Sequence, residues 1–79
     1  MSDETNSVFV TYARYRGIGW FLGWFLVGMG SENCWNGYAN EFRSQGCNLL
    51  LVEFVDPKPV PEKFWLLPKR GIIRASFKG

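Results

Sequence analysis

Apolar and polar positions alternate with two different periods along this chain, and each change of period marks an element. Residues 8–16 (VFVTYARYR) are rich in β-branched and aromatic side chains, which predicts a strand. Val8, Val10, Tyr12, Arg14 and Arg16 share one of its faces; Phe9, Thr11, Ala13 and Tyr15 share the other. Residues 31–46 (SENCWNGYANEFRSQG) switch to the i, i+3, i+4, i+7 spacing at Trp35, Tyr38, Ala39 and Phe42. That stripe predicts a core-facing helix over about residues 31–45, with Ser31 as cap and Gly46 in the left-handed conformation after the last turn. Residues 47–55 (CNLLLVEFV) are apolar on both faces and predict a strand with a central place in a sheet. Residues 64–67 read as a further short strand and 68–71 (PKRG) as a turn. Residues 72–77 predict an alternating strand with Ile73, Ala75 and Phe77 on one face and Arg74 and Ser76 on the other.

Residues 17–30 (GIGWFLGWFLVGMG) carry no charge and repeat the tetrapeptide GWFL. Three structures compete for them. A helix would hold Gly23 in its interior, at about 1 kcal/mol relative to alanine. A membrane span would reach only about 21 Å against a hydrocarbon core of about 30 Å. A strand places Trp20, Leu22, Trp24 and Leu26 on one face and Phe21, Gly23, Phe25 and Val27 on the other. Both faces are then apolar, as in a central strand covered on both sides. The strand is favoured, with a small membrane-associated peptide acting through residues 17–30 as the second alternative. Trp20 and Trp24 become an apolar contact for a partner if one side of this strand is left uncovered.

Together these elements predict an α+β fold: one domain over residues 8–79, with a mostly antiparallel sheet of about four to five strands and one helix on a face of it. The polar residues 1–7 are expected to form a disordered tail. Residues 56–61, with proline at every second position, are expected to form an extended, polyproline-like connector.

Candidate chemistry narrows the function by what is missing. The chain has no histidine and two cysteines, so neither a closed metal site nor a disulfide framework is expected, and no cofactor is implied. Whether Cys34 and Cys47 pair stays open. An acidic start and a late apolar run do not read as a secretory leader, so a cytoplasmic protein is expected. Glu53 is the one carboxylate set among apolar residues, and its ordinary fate is solvent or an arginine across the sheet. No nucleophile–base pair or phosphate-binding loop is present, so no catalytic residue is named and an enzyme is not expected.

Charge and aromatic content point instead to binding. Residues 1–56 hold three cations and six carboxylates, whereas residues 57–79 hold six cations and one carboxylate. Such an asymmetry attracts an acidic protein or a nucleic acid. Fourteen of the 79 residues are aromatic, more than a small core readily hides, and exposed aromatics and arginines anchor interfaces. The expected function is that of a non-enzymatic binding protein that occupies a surface of a larger protein or nucleoprotein. Phage and mobile-element inhibitors of host nucleic-acid machinery, anti-CRISPR proteins among them, are one class of this size and character. A direct single-stranded nucleic-acid-binding module is the first alternative, since arginines meet phosphates while aromatics stack on bases. The residues expected to contact the partner are Tyr12, Arg14, Arg16, Lys69, Arg70 and Arg74.

Overall fold

Strands that are apolar on both faces need cover from both sides, and this chain supplies two different covers. The computed structural model describes residues 6–17, 23–57 and 60–78. Four strands, β1 (Ser7–Tyr15), β2 (Phe25–Gly30), β3 (Cys47–Val55) and β4 (Ile72–Phe77), form one antiparallel sheet in the order β2-β1-β3-β4. Helix α1 (Cys34–Arg43) lies between β2 and β3 in the chain, and two short 3-10 turns (Glu62–Leu66 and Pro68–Arg70) lie between β3 and β4. Because β2 and β3 are both antiparallel to β1, they run in the same direction on either side of it. A link between such strands must cross the sheet, and the helix makes that crossing.

Register assigns the side chains to the two covers. On one face Val10, Tyr12, Val52 and Phe54 form a buried cluster, with Leu26, Leu50, Val60 and Trp65 packed against it. Val60 and Trp65 belong to the segment that carries the 3-10 turns, which therefore lies across this face as a strap. On the other face Ala13, Cys47 and Leu49 pack with Ala39 of the helix, flanked by Trp35 and Phe42. The predicted helical stripe is thus the face that meets the sheet. Tyr38 completes it by packing where Gly28 of β2 has no side chain; a Cβ there would overlap the Tyr38 ring.

The expectations from sequence hold for the positions of β1, β3, β4 and the helix and for the α+β architecture, and fail in five places besides the face pattern of β4. First, the helix begins at Cys34 rather than Ser31. Residues 31–33 form a turn in which the Cys34 and Trp35 amides donate to the Ser31 and Glu32 carbonyls, both at 3.1 Å, and no side chain caps it. Gly46 does adopt the left-handed conformation, at φ +75°. Second, the run 17–30 is not one strand. Gly17 and Gly23 both sit at positive φ (+74° and +73°), β2 starts only at Phe25, and Trp20 lies outside the described residues. β2 is also an edge strand rather than a central one. Third, residues 64–67 are not a strand, since Glu62–Leu66 is a 3-10 turn bracketed by Pro61 and Pro68. Fourth, the connector is not simply extended, because the Val60 amide donates to the Pro57 carbonyl at 2.9 Å. Fifth, Ser7 already belongs to β1 and the Asn6 carbonyl accepts from the Asp56 amide at 2.6 Å, so these two are not tail. Residues 1–5 lie outside the description.

Each edge strand carries a bulge. Thr11 and Tyr12 pair with Gly28 and Leu26, which leaves Val27 extra; Leu51 and Val52 pair with Ala75 and Ile73, which leaves Arg74 extra. The second bulge breaks the predicted alternation of β4. Ala75 faces the helix with Leu51, but Ile73 follows Val52 toward the strap. A bulge of this kind re-aims a side chain and adds twist.

Candidate partner-binding surface

Tyr12 is no surface residue. It is completely buried in the cluster on which the strap packs, and its hydroxyl has no hydrogen-bond partner among the described residues. Burial pushes its pKa from 10.0 up to about 12. The indole N–H of Trp65, packed against the same cluster, also has no such partner. Tyr12 is therefore corrected from a contact residue to a core residue.

The expected cations divide into two groups. Arg14 is half-buried, and its guanidinium lies 4.7 Å from the centroid of the Trp24 ring. Trp24 in turn lines a cleft of about 480 Å³ whose other walls include Leu50, Leu67 and Ile73 and whose rim carries Lys69 and Arg70. Arg16 is exposed and shares a shallow depression with Arg14 and Asn48. Arg16, Arg14, Trp24 and the Lys69–Arg70 pair thus follow one another along the strap side of the molecule. Arg74 does not join them. The bulge turns it toward the helix side, where its Nε lies 3.4 Å from Glu53 Oε1. Glu53 is only 15% exposed, so Arg74 serves as the counter-charge of a mostly buried carboxylate. The cross-strand arginine expected for Glu53 is thus one of the cations expected to contact a partner.

The strap holds its own shape. Phe64, in the first 3-10 turn, has Arg70 at 4.6 Å and Lys63 at 5.5 Å from its ring centroid, which ties the two turns together. Its backbone hydrogen bonds are local, Phe64 to Pro61, Leu67 to Phe64 and Arg70 to Leu67. Gly71 then brings the chain back against β3 so closely that a Cβ would lie 2.5 Å from Val52 Cγ1 and 2.8 Å from the Glu53 carbonyl oxygen.

What sequence reasoning missed is the apolar half of this surface. Leu66, Leu67, Ile72 and Ile73 are all exposed, Leu66 by 61% and Ile73 by 56%. Only three other large apolar side chains among the described residues, Tyr15, Met29 and Val55, are exposed to a similar class. Leu67 and Ile73, with Lys69 and Arg70, make a mixed apolar and basic corner beside Trp24, whereas Ile72 pairs with Glu53 and faces the helix side and Leu66 lines a separate depression with Leu26 and Met29. The available signal was Leu66-Leu67-Pro68, an apolar pair next to a proline that cannot continue a strand.

Among the described residues no three histidine, cysteine, aspartate or glutamate side chains gather, and Cys34 (exposed) and Cys47 (buried, its thiol pKa raised by burial) are both free. No described helix is long and apolar enough to cross a membrane. No family model matches this sequence, and neither a curated protein nor a solved structure is significantly similar to it.

Proposed function

We propose that this chain is a non-enzymatic binding protein that acts by occupying a surface of a larger protein or nucleoprotein, through the corner formed by Leu67, Lys69, Arg70, Ile73 and Trp24. The observation that carries the reading is the meeting of exposed Leu67 and Ile73 with Lys69 and Arg70 at the cleft walled by Trp24. Contiguous exposed apolar area rimmed by charge marks interaction sites in small proteins. Arg14, Arg16, Lys69 and Arg70 steer an acidic partner toward it, while Arg74 stays with Glu53. A protein partner is favoured over single-stranded nucleic acid by the state of the aromatics. Tyr12 is buried, Trp24 has Arg14 over its ring, and Phe64 has Lys63 and Arg70 on its own, so these three rings are already engaged. Two free thiols accord with a reducing compartment, and we place the protein in the cytoplasm. An inhibitor or adaptor of a nucleic-acid machine, as mobile elements encode, fits this description.

The test is affinity capture from the native cell with and without nuclease, using the wild-type chain and the Leu67→Glu/Arg70→Glu double variant. The reading expects a nuclease-resistant protein partner that the double variant loses by more than about tenfold, the scale of an interface anchor. Capture that nuclease abolishes, or that the variant leaves unchanged, contradicts it.

A further inference from the structure

The outer edge of β4 borders the corner directly, and both faces of the sheet open into a cleft beside it. On the strap side lies the apolar cleft between Trp24, Leu67 and Ile73, about 480 Å³. On the helix side a second cleft of about 440 Å³ lies between the start of the helix, at Asn33 and Asn36, and Arg74 and Ala75. Ile73 lines both. Successive side chains of an extended peptide point to opposite faces, so a strand laid along β4 would send alternate side chains into the two clefts. In strand addition the main-chain hydrogen bonds supply affinity and such alternating clefts supply specificity.

Charge decides which strand. Residues 67–79 contain Lys69, Arg70, Arg74 and Lys78 and no carboxylate. A second copy pairing antiparallel along Ile72–Phe77 would set these four cations against the same four. That charge disfavours self-association along the edge. An acidic strand meets the opposite condition at Lys69, Arg70 and Lys78, since Arg74 is held by Glu53. Glu32, the one carboxylate lining the helix-side cleft, makes that cleft the place for uncharged side chains.

We infer that β4 accepts an extended acidic segment of a partner protein as a fifth strand, with alternate apolar side chains entering the Trp24–Leu67 cleft. This rests on the corner beside Trp24 being the contact surface, and it names the partner's chemistry and pairing. The probe is an eight-residue peptide of sequence Glu-Glu-Val-Ser-Val-Ser-Glu-Glu, whose valines face the strap-side cleft, whose serines face the helix-side cleft and whose terminal glutamates meet Lys69–Arg70 and Lys78, titrated into the isotope-labelled full chain. Binding is read from amide shifts, and hydrogen exchange is followed across residues 72–77. The inference expects the peptide to bind and to slow exchange of β4 amides by about tenfold or more, with binding weakened about tenfold by N-methylation of alternate peptide nitrogens and lost when lysine replaces glutamate. Leu67→Glu should weaken the peptide without changing the fold, since Leu67 is exposed. Equal binding by the N-methylated peptide overturns strand addition while leaving the contact surface standing. Protection of β4 that Leu67→Glu does not weaken has the reverse meaning: the strand pairs, and the corner is not its anchor. No binding by the acidic peptide, or preferential binding of a ten-nucleotide oligothymidylate at the same residues, overturns the inference.

Discussion

Replacing Tyr12 with phenylalanine tests the most unexpected placement in the structure. Tyr12 is fully buried in the cluster on which the strap packs, and its hydroxyl has no hydrogen-bond partner among the described residues. A buried polar group left unpaired costs about 1–3 kcal/mol. Tyr12→Phe removes the group and leaves a void no larger than one oxygen atom. The net effect at pH 7 is therefore a gain of about 1 kcal/mol, or about 4–8 °C in Tm for a domain of this size. Alkaline pH gives an independent reading. The pKa is raised from 10.0 to about 12 by burial, so between these values the unfolded chain releases the phenolic proton while the folded chain keeps it. Stability then falls with pH at up to about 1.4 kcal/mol per unit, a loss that sets in as pH approaches 10. The variant lacks the group, so its advantage over wild type widens above pH 10; the other titrating groups are common to both chains and cancel. Urea unfolding of both proteins from pH 7 to 11 measures it. A variant less stable than wild type by 1 kcal/mol or more at pH 7, or an advantage that stays constant to pH 11, refutes the burial of an unpaired hydroxyl.

Three further outcomes follow from particular contacts. Arg74→Glu leaves the mostly buried Glu53 facing a like charge and costs about 1–2 kcal/mol in thermal unfolding; Arg74 itself is 51% exposed, so screening keeps the loss modest, whereas Arg16→Glu shifts stability by less than about 0.5 kcal/mol. Gly28→Ala drives a methyl into the Tyr38 ring and costs about 1–3 kcal/mol, with loss of helix–sheet contacts visible in methyl and ring proton shifts; unchanged stability would mean that the ring has room to move. Trp24→Ala removes both the wall of the strap-side cleft and the ring beneath Arg14, so it weakens partner capture together with stability, while Arg14→Ala costs only the cation–π term of about 0.5–1 kcal/mol.

Period and composition made the sheet and the helix readable because each of those elements repeats its pattern long enough to count. β3 is apolar on both sides over nine residues and lies inside the sheet; Trp35, Tyr38, Ala39 and Phe42 mark one helical face and pack on it. The failures have physical causes that local pattern does not carry. A strand with two apolar faces reports cover on both sides rather than a neighbour on both edges, so β2 read as central although it is an edge. Bulges at Val27 and Arg74 add one residue each, and a single extra residue shifts every later side chain relative to its partner strand. Tyr12 shares its face with Arg14 and Arg16, which made it look exposed. That face is buried at Tyr12 and exposed at Arg16, and where a cover stops is a tertiary fact. The candidate surface was half legible: the basic segment 57–79 stood out in the charge distribution, but the exposed leucines and isoleucines read as strand and core.

Site-specific photocrosslinking tests the contact surface most directly. A photoreactive residue is placed at position 67 or 73 in the corner, or at Asn40 on the exposed side of the helix, and each full-length chain is irradiated in extract of the native cell after nuclease treatment. The account predicts one discrete protein adduct from positions 67 and 73 and none from position 40. An adduct from position 40 with none from 67 or 73 would contradict it.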